Sequence, residues 1–119
     1  MEREYKDYIT DIVEAIESME RFVTGLTFEN FKKDDKTISA IVRKLEIIGE
    51  AAKNIPASVR NKNKQIPWKK MAGIRDKLIH EYFGVNTKVV WKTIKEDLPK
   101  VKPLIKEVLG KMEQEAETR

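Results

Sequence analysis

Arg75, His80 and Tyr82 stand in the spacing Arg-x4-His-x-Tyr, within Ile74-Arg75-Asp76-Lys77-Leu78-Ile79-His80-Glu81-Tyr82. Histidine is the side chain best matched to proton transfer near neutral pH. Arginine suits the negative charge that develops on a reacting phosphate. Together they could cleave RNA without a metal. A base takes the ribose 2′-hydroxyl proton, an acid protonates the departing 5′-oxygen, and Arg75 stabilises the phosphorane-like charge. On a helix, Asp76 and His80 share a face as an i, i+4 pair. Arg75 and Tyr82 are about 20° from alignment, whereas Arg75 and His80 lie about 140° apart. Arginine and histidine therefore converge only through the length of the arginine, a helix ending before His80, or a second chain. By spacing alone, a histidine near a helix C-terminus, favoured by the helix dipole, is the simpler reading. Trp68 and Trp91 could stack bases, but at helical spacing they read first as core or interface aromatics. Glu50, in Gly49-Glu50-Ala51-Ala52, reads as a solvated helix charge unless it faces the His80 site.

The elements that must position these residues are helical. Tyr5, Ile9, Ile12, Val13, Ile16, Met19 and Val23 recur at i, i+3, i+4 and predict a helix over residues 2–24, with Gly25 as its stop. Phe28 and Phe31 fall in a short connector. A second helix is expected from Asp35 to Asn54 on the stripe Ile38, Ile41, Val42, Leu45, Ile48 and Ala52. Gly49 and Ala51-Ala52 would let another backbone approach it closely. Residues 56–67 lie between two prolines and read as a loop with room for one helical turn. Pro67-Trp68 opens a third helix reaching Tyr82 or Phe83. Asn86 or Thr87 caps a fourth, carrying Val89, Val90, Trp91, Ile94 and Leu98. Pro99 suits the first turn of a new or kinked helix bearing Val101, Leu104, Ile105, Val108 and Leu109. No stretch alternates with period two. The pattern predicts an all-α bundle of four to five helices over residues 1–110, followed by a polar, frayed tail over 111–119.

Composition narrows the chemistry. The chain has 119 residues, one histidine and no cysteine. Disulfides, thiolate metal sites, cysteine nucleophiles and a multi-histidine metal site within one chain are excluded. The glycines are scattered, so no phosphate-cradling loop is present. No apolar run approaches the ~20 residues of a membrane span, and Met1-Glu2-Arg3-Glu4-Tyr5 lacks an apolar signal core, so a single cytoplasmic domain is expected. The net charge of +4 is unevenly spread. Lys53, Arg60, Lys62, Lys64, Lys69, Lys70, Arg75 and Lys77 face only Asp76 across residues 53–77. Such a stretch attracts a polyanion such as RNA, with Lys69, Lys70 and Lys77 as candidate contacts, or forms a solvated face. Lysine and glutamate are abundant and glutamine scarce, the compositional trend of hyperthermophile proteins.

Arg75-x4-His80-x-Tyr82 resembles the R-x4-H-x-Y motif of the HepT-like toxins, a branch of the HEPN-domain superfamily. Gly49-Glu50-Ala51-Ala52-Lys53 is similar to that family's G-E-A-x-K stretch, and Ile66-Pro67-Trp68 to its I-P-W entry. His80-Glu81-Tyr82-Phe83-Gly84-Val85-Asn86 resembles its H-x-Y-F-G-V-[DN] continuation. Val90-Trp91 and Asp97-Leu98-Pro99 resemble its closing V-W and D-L-P. The resemblance spans almost the whole chain. It implies a HEPN-type up-down helical bundle, a homodimer formed through the motif region, and the toxin half of a type II toxin–antitoxin pair. The implied partner is a minimal nucleotidyltransferase antitoxin, and the implied activity is metal-independent endoribonuclease cleavage with no cofactor. By position, Arg75 and His80 would be the ribonuclease pair, Asp76 the polar residue after the arginine, and Tyr82 the tyrosine modified with AMP. A twofold axis would also split acid and base duties between two copies of His80. Two alternatives remain open. One is a non-catalytic module that engages a nucleotidyltransferase or a nucleotide, and the other is a protein whose main event is modification of Tyr82.

Overall fold

The structure, a computed structural model, describes residues 4–74, 76 and 86–117. Its first helix, α1 (Tyr5–Phe22), buries Ile9, Ile12, Val13, Ile16 and Met19 along one stripe. Gly25 then takes a φ of 79°, the left-handed conformation that glycine adopts without steric cost. The expected Phe28–Phe31 connector is itself a helical turn, α2 (Phe28–Phe31). Thr27 makes it so, its side-chain oxygen accepting from the Asn30 N–H at 3.1 Å.

Asp34 starts α3 (Asp35–Lys53) by accepting from the Thr37 N–H at 3.0 Å and the Thr37 hydroxyl at 2.7 Å. These bonds hold the Asp34 carboxyl below its usual pKa, the Thr37 hydroxyl contributing most. Pro56 ends the run, and the segment expected as a loop holds α4 (Ala57–Lys62). This short helix buries none of its own residues and is carried between the buried Ile55 and Ile66. Next comes α5 (Trp68–Ala72), pinned by buried Trp68 and Met71. The Trp68 indole N–H donates to the Asn63 carbonyl at 3.0 Å, so its polar edge is satisfied inside the fold.

Asn86 caps α6 (Thr87–Lys92) by accepting from the Val89 N–H at 3.1 Å. The sequence suggests a new or kinked helix at Pro99, and the helix is continuous there: α6 passes through a π turn, Thr93–Asp97, directly into α7 (Leu98–Glu117). Pro99 has no N–H to give to the Lys95 carbonyl, and its ring crowds that carbonyl. Widening the preceding turn, with the Leu98 N–H bonding back to the Thr93 carbonyl, accommodates the proline without ending the helix. The rod from residue 87 to 117 is about 46 Å long at 1.5 Å per residue. Helix α7 also continues to Glu117 rather than fraying from Lys111. Its last turns are rich in good helix formers, and Lys111 pairs with Glu107 one turn back.

Among the described residues the secondary structure is all helical. Helix α1 lies between α3 and α7, and α5 packs on α3. Lys102 of α7 reaches Glu20 at 2.8 Å and Glu17 at 3.5 Å on α1, and Lys106 reaches Glu17 at 3.3 Å. Trp91 sits against Phe28 and Phe31, with ring centroids at 6.1 and 5.1 Å. Lys95 lies 4.9 Å over the Trp91 ring. Both tryptophans are thus engaged in packing. Among the described residues, no helix is long and apolar enough to cross a membrane.

Candidate functional site

Helices α3 and α5 meet at a glycine. A Cβ added to Gly49 would lie 3.3 Å from the Ala72 carbonyl oxygen and 3.6 Å from that of Met71. A side chain here would press on the α5 backbone, the close approach the sequence suggests for Gly49. The contact fixes where the chain leaves α5, three residues before Arg75.

Beside this contact opens a cleft of about 290 Å³ lined by Arg43, Glu46, Gly49, Glu50, Lys53, Ala72 and Asp76. Four of its charged residues form one edge of α3. Arg43 and Glu46 pair at 3.5 Å. Glu50 and Lys53 lie a turn further along and are exposed, and among the described residues neither takes part in an ion pair. Asp76 closes the cleft from the segment beyond α5. The cleft therefore juxtaposes carboxylates and cations over a floor formed by Gly49 and Ala72, a setting suited to a polar, charged ligand.

Of the residues singled out from the sequence, Asp76 lines this cleft. Lys69 and Lys70 are exposed on α5. Lys53, Arg60, Lys62 and Lys64 are exposed as well. Arg75, Lys77, His80 and Tyr82 lie outside the described residues. The sequence expectation for Glu50 is a solvated helix charge. It is solvent-exposed, yet it shares a cleft with the residue that follows Arg75. The signal for this was the neighbouring Gly49, which marks where another backbone comes close.

The family described as "Ribonuclease HepT-like" matches residues 12–108. Over 102 residues the chain is 55% identical to a protein of Thermococcus cleftensis named "Probable ribonuclease HepT", covering 86% of this chain and 93% of that one. It is 47% identical over 106 residues to a candidate RNase of Caldanaerobacter subterraneus subsp. tengcongensis, covering 89% of this chain and 95% of the relative. A candidate RNase of Methanocaldococcus jannaschii is 40% identical over 115 residues, covering 93% of this chain and 95% of its own. No solved structure matches the chain.

Proposed function

The chain belongs to the HepT-like ribonuclease family, and from that premise we propose that it is a metal-independent endoribonuclease, the toxin of a type II toxin–antitoxin pair. The observation that carries this reading is the cleft at the α3–α5 contact, one wall of which is Asp76, adjacent in sequence to Arg75. The nucleophile is the RNA's own 2′-hydroxyl, so the reaction needs proton transfer and charge stabilisation rather than an activated water. His80 transfers a proton and Arg75 meets the charge on the phosphate. Lys69, Lys70 and Lys77 hold the neighbouring phosphates, and the exposed Arg60 and Lys62 of α4 add to the positive charge. The working unit is a homodimer that brings two motif segments to one groove.

In this reading a minimal nucleotidyltransferase silences the toxin by adenylylating Tyr82. The Tyr82 oxygen attacks the α-phosphorus of ATP, a P–O bond to the tyrosine forms, and pyrophosphate leaves. The product carries a phosphodiester charge seven residues from Arg75 on the sequence, where it competes with substrate phosphate for the guanidinium.

Incubating the purified protein with single-stranded RNA in EDTA tests the reaction. Cleavage leaving 2′,3′-cyclic phosphate ends, lost in His80→Ala with RNA affinity retained, is the expected result. Abolition by EDTA, or equal cutting of DNA, refutes the mechanism. Intact-mass spectrometry with the partner and ATP tests the regulation. AMP additions that vanish in Tyr82→Phe support it, and additions that persist in that variant place it elsewhere.

A further inference from the structure

The two tryptophans differ in what they leave open. Trp68 is buried and its indole N–H is satisfied inside the fold, whereas Trp91 is only partly buried. We propose that the seam between α2 and α6 is a second contact for single-stranded RNA, in which Trp91 and Phe28 stack bases while Lys32, Lys88, Lys92 and Lys95 hold phosphates. The proposal rests on the ribonuclease reading above for the choice of RNA as the strand.

Two observations carry it. The first is the group of rings. Trp91 rests on the fully buried Phe31, with ring centroids 5.1 Å apart, and beside Phe28 at 6.1 Å and 55°. Phe31 ties the group to the core, while Phe28 and Trp91 are partly buried and so keep some surface in solvent. The second is the charge around them. At about 100° per residue, Lys88, Trp91 and Lys92 fall within about 100° of arc on α6. Lys95 lies 4.9 Å over the Trp91 ring, and Lys32 lies 5.8 Å over Phe28. Lys88, Lys92 and Lys95 are exposed, and among the described residues none of them is held in an ion pair. Residues 86–95 include no carboxylate; Glu96 and Asp97 come after them. On α2, Glu29 is paired with Lys32 at 2.8 Å.

Rings flanked by cations fit a strand that carries both bases and phosphates, because every base has a face that stacks. An acidic polypeptide would use the cations and leave the rings with nothing to stack on them. In the free protein the Lys95 ammonium covers the Trp91 ring, and a cation over a surface ring is a weak contact. A base stacked there displaces the ammonium toward the phosphate beside it, where it makes a charge-assisted hydrogen bond. Ring and cation both exchange a weak partner for a stronger one. In the ribonuclease reading the reacting atoms lie at the cleft, whose lining comes from α3, α5 and Asp76. The seam therefore holds the strand and takes no part in the chemistry.

Titrating the full-length protein with an end-labelled, single-stranded 2′-O-methyl RNA, which 2′-hydroxyl attack cannot cut, tests the seam. Tryptophan emission reports stacking and label anisotropy reports affinity. RNA should quench the emission, and Trp91→Phe, which retains only the buried Trp68, should lose most of that quench. Trp91→Leu should weaken binding roughly 5- to 150-fold. Lys92→Gln combined with Lys95→Gln should reduce the slope of log K against log salt by about 1.4. On cleavable RNA that double variant should raise KM and leave kcat little changed. Both lysines are exposed, so the double variant keeps its fold even where Trp91→Leu does not. Polyphosphate, a polyanion without bases, should bind without the quench. An unchanged salt slope in the double variant, or wild-type emission that RNA leaves unaltered, overturns the seam; continued cleavage then keeps the ribonuclease reading. Equal quenching by polyphosphate removes the stacking and overturns the proposal as well. A wild-type protein that is quenched by RNA and cleaves none overturns the ribonuclease reading and leaves the seam standing.

Discussion

Replacing Gly49 with alanine separates two effects that act at the same atom. In a helix interior, alanine is favoured over glycine by about 0.8–1.0 kcal/mol. Gly110 supplies the reference: it lies within α7, is exposed, and an added Cβ there meets nothing within 4 Å. Gly110→Ala should therefore be stabilising by nearly the full propensity difference. At about 4 °C per kcal/mol for a chain of this size, its Tm should rise by ~4 °C. Gly49→Ala has the same propensity gain, but its Cβ would sit 3.3 Å from a backbone oxygen of α5. Relieving that contact moves the α5 backbone by a few tenths of an ångström against the buried Trp68 and Met71. Overpacking of this kind costs about 1–3 kcal/mol. The expected net change is a loss of zero to about 2 kcal/mol, so Gly49→Ala should melt at least ~4 °C below Gly110→Ala. Paired thermal melts, with urea unfolding to confirm equal m-values, make the comparison. A Tm gain in Gly49→Ala equal to that of Gly110→Ala would show that α5 is not held at this glycine, and the placement of the cleft would lose its support.

Leu45, fully buried in α3, should cost about 2–5 kcal/mol when truncated to alanine, read as a lowered urea midpoint. Charge reversal of Lys69 and Lys70 should weaken RNA binding, leave helix content unchanged, and reduce the slope of log K against log salt by about 1.4. Acid should destabilise the protein in a traceable way. Hydrogen bonding to Lys106, aided by Lys102, holds the Glu17 carboxyl below its ordinary pKa. A depressed carboxyl contributes stability above its unfolded-state pKa and loses it as pH falls through the folded value. The urea midpoint should thus drop below the ordinary carboxylate range, and Lys106→Gln should shrink that drop. A remainder should persist because Thr37 holds the Asp34 carboxyl down independently. An identical acid profile in Lys106→Gln would refute the pairing.

The fold was largely written in local pattern. The stripes of α1 and α3 and the caps at Asp34 and Asn86 are short-range signals, and their boundaries fall within about three residues of the expected ones. Two short helices stand where the sequence reads as connector and loop, the loop with room for one helical turn. α2 depends on the Thr27 cap, and α4 buries nothing itself, so neither shows a long apolar period. Pro99 leaves a new or a kinked helix open because proline is a local breaker, while its accommodation by a wider turn depends on the packing of the helix on either side. The cleft was hardest to see. Glu50 and Asp76 are far apart in sequence, and only the Gly49–Ala72 contact brings them together. The motif named its own residues by resemblance, but no local pattern could say which other side chains share their cleft.

The π turn at Thr93–Asp97 has a consequence for which length changes the chain can absorb. A turn closed by an i→i+5 bond holds one residue more than an α turn. Removing one residue there, with Pro99 replaced by a residue that carries an N–H, would let the ladder close as ordinary α-helix, with Val90 on one side and Val101, Ile105 and Val108 on the other still facing the core. The same deletion between Val90 and Val101 but outside the π turn would swing those three side chains by about 100° relative to Val90. The π turn is therefore where this long helix could lose a single residue, together with its proline constraint, and keep its fold.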